Sequence, residues 1–140
     1  MIFDSVSVPV ILLASIVAAA VLIYVPYTVV AYSRITAPSG YDAANPRAMF
    51  EQLPVYAKRA NWAHQNSFES FSIFTAAALM AYVTDQTSPT VMYAVVAYLG
   101  ARLLYSVAYI LAIPVLRSLM FLVGNVGILI LFITSIRSIM

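Results

Sequence analysis

Polar side chains recur at helical spacing within an otherwise apolar part of the sequence, near residues 60–84. They are Arg59, Trp62, Asn66 and Glu69, which follow steps of three, four and three residues. This spacing places all of them along one stripe of a helix. A carboxylate and an amide on such a stripe can bind the charged ends of a polar ligand, or they can hold a neighbouring helix.

A second polar stripe lies in the next apolar stretch. It consists of Tyr98, Arg102, Tyr105 and Tyr109, at steps of four, three and four residues. Together with Arg117, these side chains form a donor-rich pocket that suits a carboxylate or a thiolate of an amphipathic ligand. The two helices are expected to run in opposite directions, so the two stripes should converge at one depth.

Each of these side chains also has a purely structural interpretation. Glu69 and Arg102 can form an ion pair that fixes helix register, since a charge inside a membrane segment needs a partner. Asn66 can donate an interhelical hydrogen bond, and the tyrosines can belong to an aromatic belt at the membrane surface. His64 lies about half a turn off its stripe, which favours a packing or capping role over catalysis.

The composition indicates what kind of protein positions these residues. Of 140 residues, 64% are hydrophobic and 9% are charged, whereas a soluble domain has about 45–50% and about 25%. A net charge of +2 is too small for a surface that follows nucleic-acid phosphates. Because the chain has no cysteine and one histidine, a thiolate site and a multi-histidine metal centre within one subunit are excluded. The sequence therefore predicts a small integral membrane protein with no metal and no nucleic-acid partner.

Four apolar runs are long enough to cross a bilayer, which takes about 20 residues of helix. They cover residues 8–32, 60–84, 89–113 and 115–136 of a single domain spanning residues 1–140. Helices are required, because the lipid core offers no hydrogen-bond partner to the backbone of an open strand. The predicted fold class is all-α: an integral membrane four-helix bundle that runs up-down-up-down.

The connections support this order of helices. The turns at residues 84–89 and around Pro114 are short, so the helices they join should be antiparallel neighbours. The first connection, residues 34–56, is much longer. Within it, Asn45-Pro46 has the pattern of a helix cap followed by proline, which predicts a short surface helix over residues 47–53. A plain linker is the alternative.

Basic residues are unequally distributed between the two ends of the predicted bundle. The end with the long connection has Arg34, Arg47, Lys58, Arg59 and Arg117, whereas the other end has Arg137 together with Asp4 and Asp85. The positive-inside rule then puts the long connection, as a short helix or loop, in the cytoplasm. Both termini are expected on the extracytoplasmic side.

Two segments resemble the signatures of the MAPEG family (membrane-associated proteins in eicosanoid and glutathione metabolism). Residues 59–69 resemble the segment R-x-x-x-A-H-x-N-x-x-E, and residues 102–109 with Leu116-Arg117-Ser118 resemble the second signature. The order, the spacing and the four spans agree, so the resemblance covers essentially the whole chain. The sequence is most similar to the compact bacterial branch, which implies a bacterial inner membrane.

The resemblance implies a homotrimer whose sites lie between adjacent subunits and bind glutathione as a co-substrate. By position, the residues that would hold glutathione are Arg34, Asn66, Glu69, Arg102, Tyr105 and Tyr109. Arg117 matches the arginine that stabilises the thiolate in the family's enzymes, so it is the catalytic candidate. A cation beside a thiol favours the nucleophilic thiolate, and the second substrate would be a lipophilic small molecule.

Trp62 departs from the family's pattern, because its glutathione users generally carry a basic residue at this position. Indole donates one hydrogen bond but does not neutralise a carboxylate. Three functions are therefore considered: a glutathione-dependent transferase or peroxidase acting on lipophilic electrophiles, a non-catalytic lipid-binding or helper protein on the same scaffold, and a structural subunit of a larger membrane complex. The arginines and tyrosines favour the first, and Trp62 favours the other two.

Overall fold

The computed structural model describes residues 7–140 as four α-helices and one short 3₁₀ helix, with no strand in that range. The elements are α1 (Val8–Ile35), the 3₁₀ helix (Ala48–Gln52), α2 (Val55–Val83), α3 (Pro89–Ile110) and α4 (Pro114–Arg137). The predicted all-α fold class is therefore confirmed. Asp4, which entered the comparison of charges at the two ends, lies outside the described residues.

Proline marks the start of most of the helices. It stands in the first turn of α1, α3 and α4, and Pro54 is the N-cap residue of α2. Proline is suited to these positions because the first N–H groups of a helix have no intrahelical acceptor. Between α3 and α4 the chain reverses within three residues, where Ala112 adopts a φ of 58°. This tight reversal makes α3 and α4 antiparallel neighbours.

Three of the helices within residues 7–140, namely α1, α3 and α4, are long and apolar enough to cross a membrane. The 29 residues of α2 give a helix of comparable length, about 43 Å at 1.5 Å per residue. Its polar residues, among them Asn61, His64, Asn66 and Glu69, lower its hydropathy. That α2 also spans the membrane remains a prediction.

Side-chain contacts give the directions of the helices. Along α1 and α2, Ser33 hydrogen-bonds Tyr56 near one end, and His64 reaches the carbonyl oxygen of Ile23 further along. Residues further along α2 thus contact residues that lie earlier in α1, so the two helices are antiparallel. α3 packs against all three other helices, and α2 also packs against α4. We call the end with residues 36–54 and the turn at 111–113 the loop end.

The core combines close helix approach with one aromatic stack. α2 buries many alanines, namely Ala57, Ala60, Ala63, Ala77, Ala78 and Ala81. Small side chains let helix backbones approach closely, which is how membrane helices gain packing energy. In the middle of the core, the rings of Phe74 and Tyr98 stack with centroids 3.8 Å apart and planes 4° apart.

The long connection contains the short helix that the sequence predicted, observed as the 3₁₀ helix Ala48–Gln52. The plain-linker alternative is therefore wrong. The expected cap at Asn45 is not formed, because the N-cap residue is Arg47 and no side chain caps this helix. Asp42 turns the chain instead: its Oδ1 accepts hydrogen bonds from the backbone N–H groups of Ala44 and Asn45, both at 3.0 Å. Met49 anchors the short helix, since it is only 3% exposed.

Candidate functional site

Arg102 is a buried cation between α2 and α3. It is 5% exposed, and its Nη2 donates to Asn66 Oδ1 at 3.1 Å and to Ser67 Oγ at 3.3 Å. Gly124 on α4 lies beside its stem: a Cβ added at that glycine would make an ordinary van der Waals contact with Arg102 Cδ, at 3.7 Å. The guanidinium is therefore fixed by neutral partners, and its positive charge is not cancelled by them.

Glu69 approaches Arg102 only through an amide. Asn66 Nδ2 donates to Glu69 Oε2 at 3.3 Å, while the Oδ1 atom of the same amide accepts from Arg102. The direct Glu69–Arg102 ion pair considered from the sequence is not formed in the single chain. Within residues 7–140 the ion pair that does form joins Lys58 and Glu51, with 3.4 Å between Nζ and Oε2. Glu69 itself is exposed, halfway along α2.

Two tyrosines and two arginines of α3 and α4 form a continuous row that runs from the buried Arg102 to the half-buried Arg117. The guanidinium carbon of Arg102 lies 4.3 Å from the ring centroid of Tyr105, and that of Arg117 lies 4.9 Å from the ring centroid of Tyr109. The two tyrosine rings meet edge-on, with centroids 5.6 Å apart. Such cation–π and edge-to-face contacts hold all four side chains in defined positions.

An open pocket of about 350 Å³ lies beside this row and is lined by Tyr105, Tyr109, Arg117, Ser118 and Phe121. We call it the tyrosine pocket. The half-buried Arg117 guanidinium donates no hydrogen bond to any residue in the described part of the chain. Nearby Arg59 is engaged, since its Nε donates to the carbonyl oxygen of Ile110 at 2.9 Å. Arg117 is thus held by an aromatic face and retains its donors for an anion.

A second and larger cavity, of about 780 Å³, lies between α1, α2 and the long connection. We call it the loop cavity. Arg34 lines it and is 7% exposed, and the Nε of Arg34 has no hydrogen-bond partner among the described residues. His64 lines the same cavity, with Nδ1 2.7 Å from the carbonyl oxygen of Ile23. A carbonyl oxygen accepts, so Nδ1 of His64 is the donor, and this hydrogen bond joins α2 to α1.

The structure thus brings six of the seven residues singled out from the sequence into one row and leaves one apart. Asn66 and Glu69 extend the row of Arg102, Tyr105, Tyr109 and Arg117, because Asn66 accepts from Arg102 and donates to Glu69, and the row is taken below to include all six. Arg34 lines the loop cavity, which shares no residue with the tyrosine pocket. Tyr98, a member of the polar stripe on α3, belongs to the core, where its hydroxyl pairs with Ser70 Oγ at 3.0 Å.

Sequence reasoning missed Ser67, which accepts a hydrogen bond from Arg102. Its neighbour Asn66 was on the polar stripe, but Ser67 faces the buried side of α2 among alanines. The available signal was its position one step from Asn66, on the face that must meet α3. The residues that the structure describes contain no group of three or more histidine, aspartate and glutamate side chains placed to hold a metal ion.

The fold is that of an integral membrane protein in which arginine and tyrosine side chains cluster towards the loop end. Residues 11–137 match the model of the MAPEG family, nearly the whole chain, and the chain belongs to that family. The resemblance seen in the two sequence signatures is therefore confirmed. No curated protein and no solved structure matches the chain.

Proposed function

We propose that this protein is a glutathione-dependent transferase or peroxidase that acts on lipophilic electrophiles. The observation that supports this proposal most strongly is the geometry of Arg117, which stacks on Tyr109 at the open tyrosine pocket and keeps its donors free. A fixed cation at the mouth of a pocket stabilises a thiolate without having to reorganise during the reaction. Membership of a glutathione-related family points to glutathione as the thiol.

Arg117 is the catalytic residue in this proposal. It favours ionisation of the bound thiol, whose proton passes to solvent. The thiolate sulfur then attacks the electrophilic carbon, a C–S bond forms, and the leaving group departs with its bonding electron pair. Phe121, which is 46% exposed, gives the pocket an apolar rim through which a lipophilic substrate enters from the bilayer.

The remaining residues of the row bind the peptide. Glu69 accepts hydrogen bonds from the ammonium group of glutathione, and Asn66 orients Glu69 through its amide. Arg102 and the hydroxyls of Tyr105 and Tyr109 donate to the peptide carbonyl oxygens of glutathione. These contacts exist in both the ground state and the transition state, so they contribute to affinity more than to turnover.

A complete site requires a second copy of the chain. Arg34 and the Arg117 row lie in separate cavities formed by different helix pairs near the same end of the bundle. Glu69 is exposed in the single chain at the middle of α2, where lipid contact would be costly. Joining the loop cavity of one copy to the tyrosine pocket of the next is a head-to-tail contact, which generates a ring where the rotation between copies closes. We take the ring to be the homotrimer implied by the resemblance.

The same proposal places the loop end in the cytoplasm. The long connection and the turn at 111–113 lie at one end with most of the basic residues, as the positive-inside rule requires. The termini then lie on the extracytoplasmic side of a bacterial inner membrane. Cytoplasmic glutathione would reach the site directly.

A non-catalytic lipid-binding or helper protein on the same scaffold is the second candidate. Trp62 favours it, because this side chain is 43% exposed, packs against Phe50 and brings no positive charge. An apolar groove of about 420 Å³ between α3 and α4, lined by Ala97, Val126 and Gly127 among others, offers room for an acyl chain.

Two measurements on the detergent-solubilised protein separate the two candidates. The first is calorimetric titration with glutathione, and the second is the rate of glutathione conjugation to chlorodinitrobenzene. Saturable binding and release of chloride support the enzyme. The matched control is Arg137→Ala, at the opposite end of α4, which should bind and turn over like the unmodified protein. No binding at millimolar glutathione would contradict the enzyme and leave the helper.

A further inference from the structure

The charged side chains that line the loop cavity are all positive. Its charged lining residues are Arg34 and Arg47, with no aspartate or glutamate among them. The two acids closest to it in the connection are engaged elsewhere: Glu51 pairs with Lys58, and Asp42 accepts backbone N–H groups. Arg34 is 7% exposed and its Nε lacks a partner in the described chain, so this cation is held ready for an anion. Two uncompensated guanidinium groups in one cavity match a ligand with two negative groups.

The 3₁₀ helix that begins after Arg47 depends on contacts with α2. A helix of five residues is too short to be stable alone. The Phe50 ring lies between two side chains of α2: its centroid is 6.2 Å from that of Trp62 and 5.3 Å from Lys58 Nζ. Trp62 does not line the loop cavity, although it is adjacent to residues that do. Its indole therefore contacts the 3₁₀ helix and not the cavity itself.

We propose that Arg47 supplies the second cation of the loop cavity, so that the cavity binds a peptide through two carboxylates, one at Arg34 and one at Arg47. Trp62 is a positioning residue that holds Phe50, and with it Arg47, in place. This inference rests on the proposed function, because glutathione carries a carboxylate at each end. The cation missing at position 62 is thus supplied by the connection, and the exposed tryptophan is part of the arrangement that replaces it.

The test uses a thiol-free probe, γ-glutamyl-alanyl-glycine, and two derivatives in which one or the other carboxylate is converted to an amide. Calorimetry on the purified protein should show about tenfold weaker binding of each amide than of the parent peptide. Arg47→Ala should lose discrimination against one amide, and Arg34→Ala should lose it against the other. Arg137→Ala should discriminate like the unmodified protein.

The positioning role has its own readout. Trp62→Ala should lose discrimination against the same amide as Arg47→Ala, whereas Trp62→Phe, which keeps a ring against Phe50, should retain it. A general loss of fold would weaken all three peptides equally. Because Trp62 is the only tryptophan in the chain, its fluorescence should also change when the parent peptide binds to the unmodified protein.

The outcomes separate this inference from the proposed function. If Arg47→Ala discriminates against both amides as the unmodified protein does, the role of Arg47 is wrong even where glutathione conjugation is measured. If the peptides bind with the expected dependence on Arg34 and Arg47 but no conjugation occurs, the cavity stands and the transferase does not. If the unmodified protein binds none of the peptides, both are contradicted.

Discussion

Arg117 is the residue on which the proposed chemistry depends most. Its guanidinium lies 4.9 Å from the Tyr109 ring centroid, and no acid or carbonyl within the described residues accepts from it. Its contact with the ligand is strongest when the sulfur is charged, so its removal should affect turnover more than affinity.

We therefore expect Arg117→Ala to lower turnover at saturating glutathione about 100-fold or more, with less than about a threefold change in glutathione Kd. Conjugation kinetics and calorimetry on the same preparation measure the two effects. Arg137→Ala is the control for loss of an arginine from α4. Equal losses in turnover and affinity would show that Arg117 binds the peptide and does not act on the sulfur.

At this scale the sequence predicted which residues share a face but not how they pair. Helical spacing put Asn66 and Glu69 on one stripe and Arg102 on another, and the stripes do meet. Spacing does not give rotamers, so the amide between Glu69 and Arg102 was not predictable. Arg34 was grouped with the others through the resemblance, and only tertiary packing separates its cavity from theirs within one chain.

Gly127 lets the backbones of α3 and α4 approach closely. A Cβ added at Gly127 would lie 2.9 Å from the carbonyl oxygen of Ala94, a backbone atom that cannot rotate away. Gly100, in the same bundle, has nothing within 4 Å of an added Cβ. The two glycines are therefore a matched pair in which the same substitution should have opposite effects.

Gly127→Ala should lower the free energy of unfolding by about 1–3 kcal/mol through overpacking. Gly100→Ala should leave it unchanged or raise it by up to about 1 kcal/mol, because alanine is the better helix former. Thermal unfolding of the solubilised protein, followed by circular dichroism, measures both. Destabilisation by Gly100→Ala as large as that by Gly127→Ala would mean that the α3–α4 contact is not the cause.

The elements were more predictable than the site. Apolar runs and prolines gave the four helices, and the short helix in the connection was predicted over residues 47–53 and is present at Ala48–Gln52. The start of α2 was placed near residue 60, whereas the helix begins at Val55. The hydropathy signal is weak there because the first turns of α2 are polar, while Pro54 sets the actual start.

For the whole molecule, the proposed orientation is open to a clean test because the chain has no cysteine. Ala43 in the long connection and Thr87 in the turn between α2 and α3 are both exposed. In intact cells an impermeant maleimide should label Thr87→Cys and not Ala43→Cys, and both should react after the membrane is permeabilised. Labelling of Ala43→Cys in intact cells would show that the long connection lies outside the cytoplasm, which contradicts the proposed orientation.

The central claim is that one glutathione site is completed by two copies of the chain, with the loop cavity of one facing the tyrosine pocket of the next. Its most direct test is the conjugation activity of mixed oligomers at glutathione concentrations well below saturation, where loss of a binding residue and loss of the catalytic residue both lower the rate. Arg34→Ala and Arg117→Ala subunits are co-expressed with different tags and purified through both tags in succession. In a ring of three that contains both variants, one junction in three joins an intact Arg34 to an intact Arg117, so about one third of wild-type activity should return. Mixed oligomers no more active than the two parent variants would contradict the shared site.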